Sequence, residues 1–236
     1  MKNLFIMAMM SLLPGCDWFS SSSVKESSVS TTKEERALES FDELKIAGQF
    51  DVTLTKGNEH KIIIEANQDV MPCVATQVQN GELNVYVSNP NITISAPIVV
   101  HVHYNKMNEI DIAGAVTLKA DSLHAPQLDI TASGASRISA SIETDRLEVE
   151  GNGTSRFDLS GAAKKQKIDI SGASVYNAGG LQSSEADVIA SGSAHITLHV
   201  AKKILGELSG TALVSYKGSA KLDVKTTGAA SISKVG

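Results

Sequence analysis

The chain has 236 residues, of which 42% are hydrophobic, 20% are charged and only 4% are aromatic. This balance excludes wholesale disorder, which requires low hydrophobicity together with high net charge. Two cysteines exclude a disulfide-dense scaffold. A net charge of -5 gives no reason to expect nucleic acid as a partner.

The first residues predict export and lipid attachment. An apolar run from Leu4 to Leu13 is too short for a membrane-spanning helix, which needs about 20 residues. Cys16 directly follows this run after Pro14 and Gly15, a pattern that resembles the bacterial lipobox. We therefore predict a signal peptide over residues 1–15 and lipidation of Cys16, which would anchor the protein to a membrane of the bacterial cell envelope, in the periplasm or at the surface. The alternative is an ordinary secretory signal with a chance cysteine.

Residues 16–40 are predicted to be a lipid-anchored tether. Eight of the residues from 17 to 40 are serine, and Ser20 to Ser23 form an unbroken run. Such a segment cannot bury enough apolar surface to fold. The head of the protein is therefore expected over residues 41–236.

From residue 110 onward the chain repeats itself around glycine. The glycines are spaced by 20, 19, 19, 20, 18 and 18 residues. They are Gly114, Gly134, Gly153, Gly172, Gly192, Gly210 and Gly228. Even offsets from each glycine are apolar or small, whereas odd offsets are mostly polar, which indicates strands with one buried face. The repeat predicts an all-β parallel β-helix, or β-solenoid, with 18–20 residues per coil.

The same register extends toward the N-terminus, where Gly48 is followed by apolar residues at even offsets. Lys61–Glu65, Glu82–Val87 and Ile98–Tyr104 read as further strands, with a turn at Asn80-Gly81. We therefore expect nine to eleven coils. A stack of narrow coils also accounts for the scarcity of aromatic residues, because its interior has little room for rings.

The repeat as a set resembles the head GIN domain family, which is named for autotransporter adhesin heads. The similarity covers about residues 41–236. It is carried by Gly48-Gln49-Phe50-Asp51-Val52, Asn80-Gly81-Glu82-Leu83, Ser133-Gly134-Ala135-Ser136, Ser171-Gly172-Ala173-Ser174 and Leu213-Val214-Ser215-Tyr216-Lys217-Gly218. The resemblance implies an exported or lipid-anchored bacterial protein with a right-handed β-helix. It implies no catalytic residues, and the adhesin name is itself an inference from architecture.

Carboxylates recur at outward positions beside the glycines and form a candidate binding face. Glu109, Asp129 and Glu148 lie five residues before a glycine, and Asp111 and Glu150 lie three before. Neighbours in such a column would be about 4.8 Å apart. This crowding of like charges favours a bound cation or raises carboxyl pKa values, so calcium with oxygen ligands is one hypothesis. A solvated acidic face relieved by nearby lysines is the other.

Arg137 and Arg156 both lie three residues after a glycine and complete the candidate binding face. Adjacent guanidinium groups could hold an anionic sugar or a carboxylate. Alternatively, they offset the charge of the acidic columns.

Two classes of function remain open for the head. One is a non-catalytic module for adhesion or cell-envelope interaction, with a protein or a glycan as ligand; the other is a carbohydrate-active enzyme, a polysaccharide lyase or hydrolase, on the same scaffold. The single tryptophan, Trp18, lies in the predicted tether, which leaves few aromatic surfaces for sugars and favours the first class. Because the open ends of a solenoid need covering, we also expect a homo-oligomer in which another subunit covers the last coil or a lateral face.

Overall fold

A computed structural model of the protein describes residues 30–236. These residues form fourteen strands and one short 3₁₀ helix, Met71–Cys73. The strands are β1 Thr31–Ala37, β2 Glu43–Lys56, β3 Lys61–Asn67, β4 Val74–Gln79, β5 Glu82–Val87, β6 Ile98–Tyr104, β7 Glu109–Gly134, β8 Arg137–Gly151, β9 Arg156–Ile170, β10 Val175–Ala190, β11 His195–Leu208, β12 Leu213–Lys217, β13 Lys221–Thr226 and β14 Ser231–Lys234.

Strands β7 to β14 form the predicted parallel β-solenoid, which has about six turns. Successive long strands pair in parallel along their length, so each residue lies beside the equivalent residue of the next coil. Val149, for example, lies beside Ile168, which lies beside Val188. The parallel pairing with offsets close to 19 residues confirms the repeat that the glycine spacing predicts.

The interior of the solenoid consists of stacked apolar columns. The column four residues after the glycines contains Leu118, Ile138, Phe157, Tyr176, Ile196 and Val214, and all of these are buried. The rings of Phe157 and Tyr176 lie next to each other with centroids 6.0 Å apart. The buried Tyr176 hydroxyl donates a 2.6 Å hydrogen bond to Oε1 of Gln166. Period-two burial over most of the length of β7 to β11 is what the alternating sequence predicts.

The repeated glycines stack directly on one another at one corner of the coil. Gly134 has a φ of 81°, in the left-handed region that glycine tolerates best. A Cβ atom built on Gly134 would lie 2.7 Å from the carbonyl oxygen of Gly114 in the preceding coil. The corner therefore excludes larger residues twice, by backbone conformation and by contact.

The prediction of nine to eleven coils is wrong, because residues 61–104 form a cap and not further coils. Strand β3 pairs antiparallel with β6 and with β1, and β4 pairs antiparallel with β5 through the Asn80-Gly81 turn. A two-residue turn reverses the chain at once and cannot trace a coil of 18–20 residues. Strands β5 and β6 run parallel to β2, which joins this layer to the first coil. We call β1 and β3–β6 the N-terminal cap.

The predicted tether to residue 40 is wrong for Thr31–Ala37, which form an edge strand of the cap. Thr31 pairs with Asn67 and Ala37 with Lys61, so β1 covers the whole length of β3. The guanidinium Nη1 of Arg36 donates a 2.8 Å hydrogen bond to the carbonyl of Val74. The predicted signal peptide, Cys16 and the serine run lie outside the described residues.

Candidate ligand-binding surfaces

Glu109, Asp129 and Glu148 lie in one column, as their spacing predicts. Asp129 pairs directly with Glu148 across β7 and β8. Glu109 pairs with Glu43, which in turn pairs with Glu82 of the cap. The column therefore contains two carboxylates that we did not predict. The position of Glu43, five residues before Gly48, could have revealed it, whereas Glu82 follows a hairpin turn and has no such signal.

Glu109 in this acidic column has a raised pKa. Burial raises the pKa of Glu109 above its ordinary value of 4.5, and the neighbouring carboxylates of Glu43 and Asp129 raise it further. The crowding ends at Glu148, where Lys167 of the next coil contacts the carboxylate directly. Among the described residues, no group of three histidine, cysteine or acidic side chains is arranged to hold a metal ion.

Asp111 and Glu150 lie in a second column on the same side of the solenoid. Lys45 forms a 2.9 Å ion pair with Asp111 across β2 and β7. Glu150 pairs with Thr131 on one side and with Asp169 on the other. This second column thus mixes charges and polar groups, and only part of it is acidic.

Arg137 and Arg156 are neighbours on adjacent strands, as predicted. Arg156 is already engaged, since its Nε and Nη2 atoms each donate a 2.8 Å hydrogen bond to the carboxylate of Asp158. Its guanidinium lowers the pKa of Asp158, and a hydrogen bond from Asn177 lowers it further. The fork that could grip a ligand carboxylate is therefore occupied by the protein's own side chain.

The seven predicted residues do not form a single face. The acidic columns lie before the glycine corner of each coil, whereas the arginines lie after it, at the starts of β8 and β9. A glycine turn separates them, so that β8 ends at Gly151 and β9 begins at Arg156. The structure places the acidic residues beside one another and the two arginines beside each other, but the two groups lie on opposite sides of the glycine corner.

A lateral groove of about 780 Å³ crosses five coils. One of its walls is a column of outward side chains that continues from strand to strand. This column contains His124, Glu143, Ala162, Gln182 and His199. The floor is made of small residues, among them Ala125, Ala163 and Ser183. We call this surface the lateral groove.

Charged side chains along the lateral groove are paired with one another. Nδ1 of His124 lies 3.1 Å from the carboxylate of Glu143. Nζ of Lys164 lies 2.6 Å from the carboxylate of Asp145. No phenylalanine, tyrosine or tryptophan is among the residues that line the groove. The groove therefore offers hydrogen-bonding groups and both signs of charge, but no flat platform for a sugar ring.

Sequence spacing did not reveal the lateral groove, because the coils differ in length at this corner. Its outward column lies ten, nine, nine, ten and seven residues after the preceding glycines. The strand registers shift at the same place, between Ala120 and Leu123 and again between Asn177 and Gln182. A constant offset from the glycine therefore identifies the acidic columns but misses the groove.

These features define a parallel β-solenoid with a covered N-terminal end and a polar lateral groove. Residues 40–220 match the family model described as "Putative auto-transporter adhesin, head GIN domain", and the chain belongs to this family. The match confirms the resemblance found in the sequence.

Three solved structures have the same fold. A putative adhesin from Bacteroides fragilis NCTC 9343 shares 15% identity and a TM-score of 0.82, over 87% of this chain and 97% of that one. A putative lipid binding protein from Parabacteroides distasonis ATCC 8503 shares 14% identity and a TM-score of 0.71, over 87% and 97%. A putative adhesin from Parabacteroides merdae ATCC 43184 shares 16% identity and a TM-score of 0.64, over 87% and 96%. At such identities the likeness establishes the fold alone.

Membership of this family supports an adhesion-like β-solenoid module of an envelope or surface-exposed protein. No curated protein matches the sequence of this chain. Within residues 30–236, no helix is both long and apolar enough to cross a membrane.

Proposed function

We propose that this protein is a lipid-anchored, non-catalytic binding module of the bacterial cell envelope, and that the lateral groove receives its ligand. The observation that carries the proposal is the groove itself, a continuous concave path across five stacked coils. At a strand spacing of about 4.8 Å, five coils span roughly 19 Å, which is the length of about six extended residues. A rigid stack suits an extended ligand because the stack itself loses little conformational entropy when the ligand binds.

The lining of the lateral groove favours an extended polypeptide as the ligand. Gln182 and Ser184 offer hydrogen bonds that the backbone of a peptide could match. A sugar chain usually stacks on aromatic rings, and no phenylalanine, tyrosine or tryptophan lines the groove.

The paired acids of the lateral groove do not suit a carbohydrate-active enzyme. Glycosidases need one carboxyl group that stays protonated and a second that attacks or activates water. Asp145 contacts the ammonium group of Lys164, and Glu143 contacts the ring of His124. Both acids are therefore engaged by neighbouring side chains of the protein itself. This supports binding over cleavage.

The experiment is to block the groove without changing the fold. Ala162 is exposed in the middle of the groove, and Ala173 is exposed at a glycine corner away from it. We expect Ala162→Trp to weaken binding to a peptide array by about tenfold or more, and Ala173→Trp to leave binding unchanged. Both variants should melt at the temperature of the parent chain.

Two outcomes would contradict the proposal. Binding to a glycan array that Ala162→Trp abolishes would replace the peptide with a sugar as ligand, and cleavage of any polysaccharide by the purified chain would make it an enzyme. The anchor is tested separately by labelling cells with a radioactive fatty acid. The label should be incorporated by the parent chain and lost in Cys16→Ser, and a label retained in that variant would exclude lipidation at Cys16.

A further inference from the structure

The last coil of the solenoid leaves apolar side chains uncovered. Strand β13 pairs only with β11, and β14 only with β12, among the described residues. Leu222 of β13 is 43% exposed, although Ile204, its neighbour in the same inward column, is fully buried. Val224 and Ile232 are likewise only partly buried. An open strand edge beside exposed inward side chains is a template for pairing with another strand.

The outward side chains of β13 carry a charge pattern that limits what can pair with this edge. Lys221, Asp223 and Lys225 alternate in sign along the strand and are all exposed. The carboxylate of Asp223 lies 3.6 Å from Nζ of Lys203. Nζ of Lys225 lies 3.4 Å from the carboxylate of Glu207. These surface pairs are long and exposed, so their charges remain available to a partner.

A second copy of β13 running antiparallel matches this pattern in two registers. With Leu222 opposite itself, Lys221 lies opposite Asp223 of the second copy; with Val224 opposite itself, Lys225 lies opposite that aspartate. Directly opposed charges of unlike sign stabilise an antiparallel pair, and like charges destabilise it. The register with Asp223 opposite itself is therefore disfavoured. In every case the inward side chains of both copies stay on the same face.

We propose that the outer edge of β13 is a self-association surface through which two copies join at their open ends. The contact is two-fold symmetric, because the same edge serves both partners. Leu222 and Val224 then continue the apolar interior from one solenoid into the other. Lysines on an edge strand often keep edges apart, but Asp223 between them supplies the complementary charge that the second copy needs.

The test exchanges the charges of this edge. Asp223→Lys gives an edge with three lysines, and the double variant Lys221→Glu, Lys225→Glu gives an edge with three acids. We expect the full chain, purified in detergent, to sediment as a dimer, and each variant alone to dissociate with a Kd raised by about tenfold or more. Mixing the two variants should restore the dimer, a result that a misfolded variant could not give. Lys119→Glu, an exposed change on β7, is the control and should leave the dimer intact.

Three results would overturn the proposal. The parent chain could sediment as a monomer at about 100 μM, both charge variants could remain dimeric, or the mixture of variants could fail to associate. A cysteine in place of Leu222 or Val224 identifies the register, since each forms a disulfide-linked dimer only when it lies opposite itself.

Discussion

At its N-terminal end the apolar interior of the solenoid is covered by the antiparallel strands of the cap, whereas among the described residues the same interior is partly exposed in the last coil. Ile62 and Ile64 of β3 are fully buried, but Leu222 of β13 is 43% exposed. Both sets follow the same period-two pattern in sequence. The contrast shows that an inward position is buried only when another layer lies on each side of its coil.

The largest expected effect comes from deleting the same side chain in an inner coil and in the last one. Ile138 and Ile232 occupy the same column, the first fully buried and the second partly exposed. We expect Ile138→Ala to lower the free energy of unfolding by about 2–5 kcal/mol, since it leaves a cavity in a packed core. Ile232→Ala should cost less than about 1 kcal/mol, because little apolar surface is buried there.

Chemical denaturation at low protein concentration measures both losses. Equal losses for the two variants would contradict the contrast between the two ends. They would show that the last coil is covered in solution as completely as an inner one.

A smaller effect is expected at the polar contacts of the two ends. Nη1 of Arg36 donates hydrogen bonds of 2.8 and 3.0 Å to the Val74 carbonyl and to Oγ1 of Thr76, which hold β1 to β4. We expect Arg36→Ala to cost about 1–2 kcal/mol, because these bonds involve a charged donor in a partly buried place. At a protein concentration at which the chain is monomeric, Lys225→Ala, which removes an exposed pair with Glu207, should leave the melting temperature unchanged.

Hydrogen exchange provides a second readout of this difference. Arg36→Ala should speed the exchange of the β1 amides first, because β1 is the outermost strand of the cap. If exchange and stability respond alike to Arg36→Ala and Lys225→Ala, then Arg36 does not hold the cap in place.

The coils could be predicted from the sequence because one physical requirement recurs in each of them. Each corner requires glycine, because a side chain on Gly134, for example, would clash with the carbonyl of Gly114. Each strand also requires apolar residues at alternate positions, where they point inward. The candidate acidic column follows from the same spacing. Glu43, which belongs to this column, could have been predicted from the same spacing, since Gly48 lies five residues later.

The cap and the lateral groove could not be predicted in this way. Strands β3 and β6 alternate with period two like the coils, and alternation carries no information about parallel or antiparallel pairing. The groove lies at a corner where coil length varies, so His124 and His199 have different offsets from their glycines. The charges that neutralise the candidate site, such as Asp158 beside Arg156, depend on side-chain geometry that spacing does not specify.

The smallest expected effect concerns charge in the two halves of the solenoid. Near the cap, Glu109 lies between the carboxylates of Glu43 and Asp129. Farther along the same column, Asp187 lies beside Lys167. Because the folded pKa of Glu109 is raised above its ordinary 4.5, the folded chain binds more protons than the unfolded chain just above that pH. Stability is therefore lost as the pH rises through this range, and ionised Glu109 is unfavourable at neutral pH.

We expect Glu109→Gln to raise the melting temperature slightly at pH 7 and to have no effect well below pH 4, where the carboxyl group is protonated in both states. Asp187→Asn is the matched control and should give no gain, because it removes a carboxylate that lies beside a lysine. Salt at 0.5 M should shrink the gain from Glu109→Gln, since it screens repulsion between exposed charges. A gain that persists at low pH would mean that the substitution acts through packing, and equal gains for both variants would mean that the acidic column near the cap is no more crowded than the mixed column beyond it.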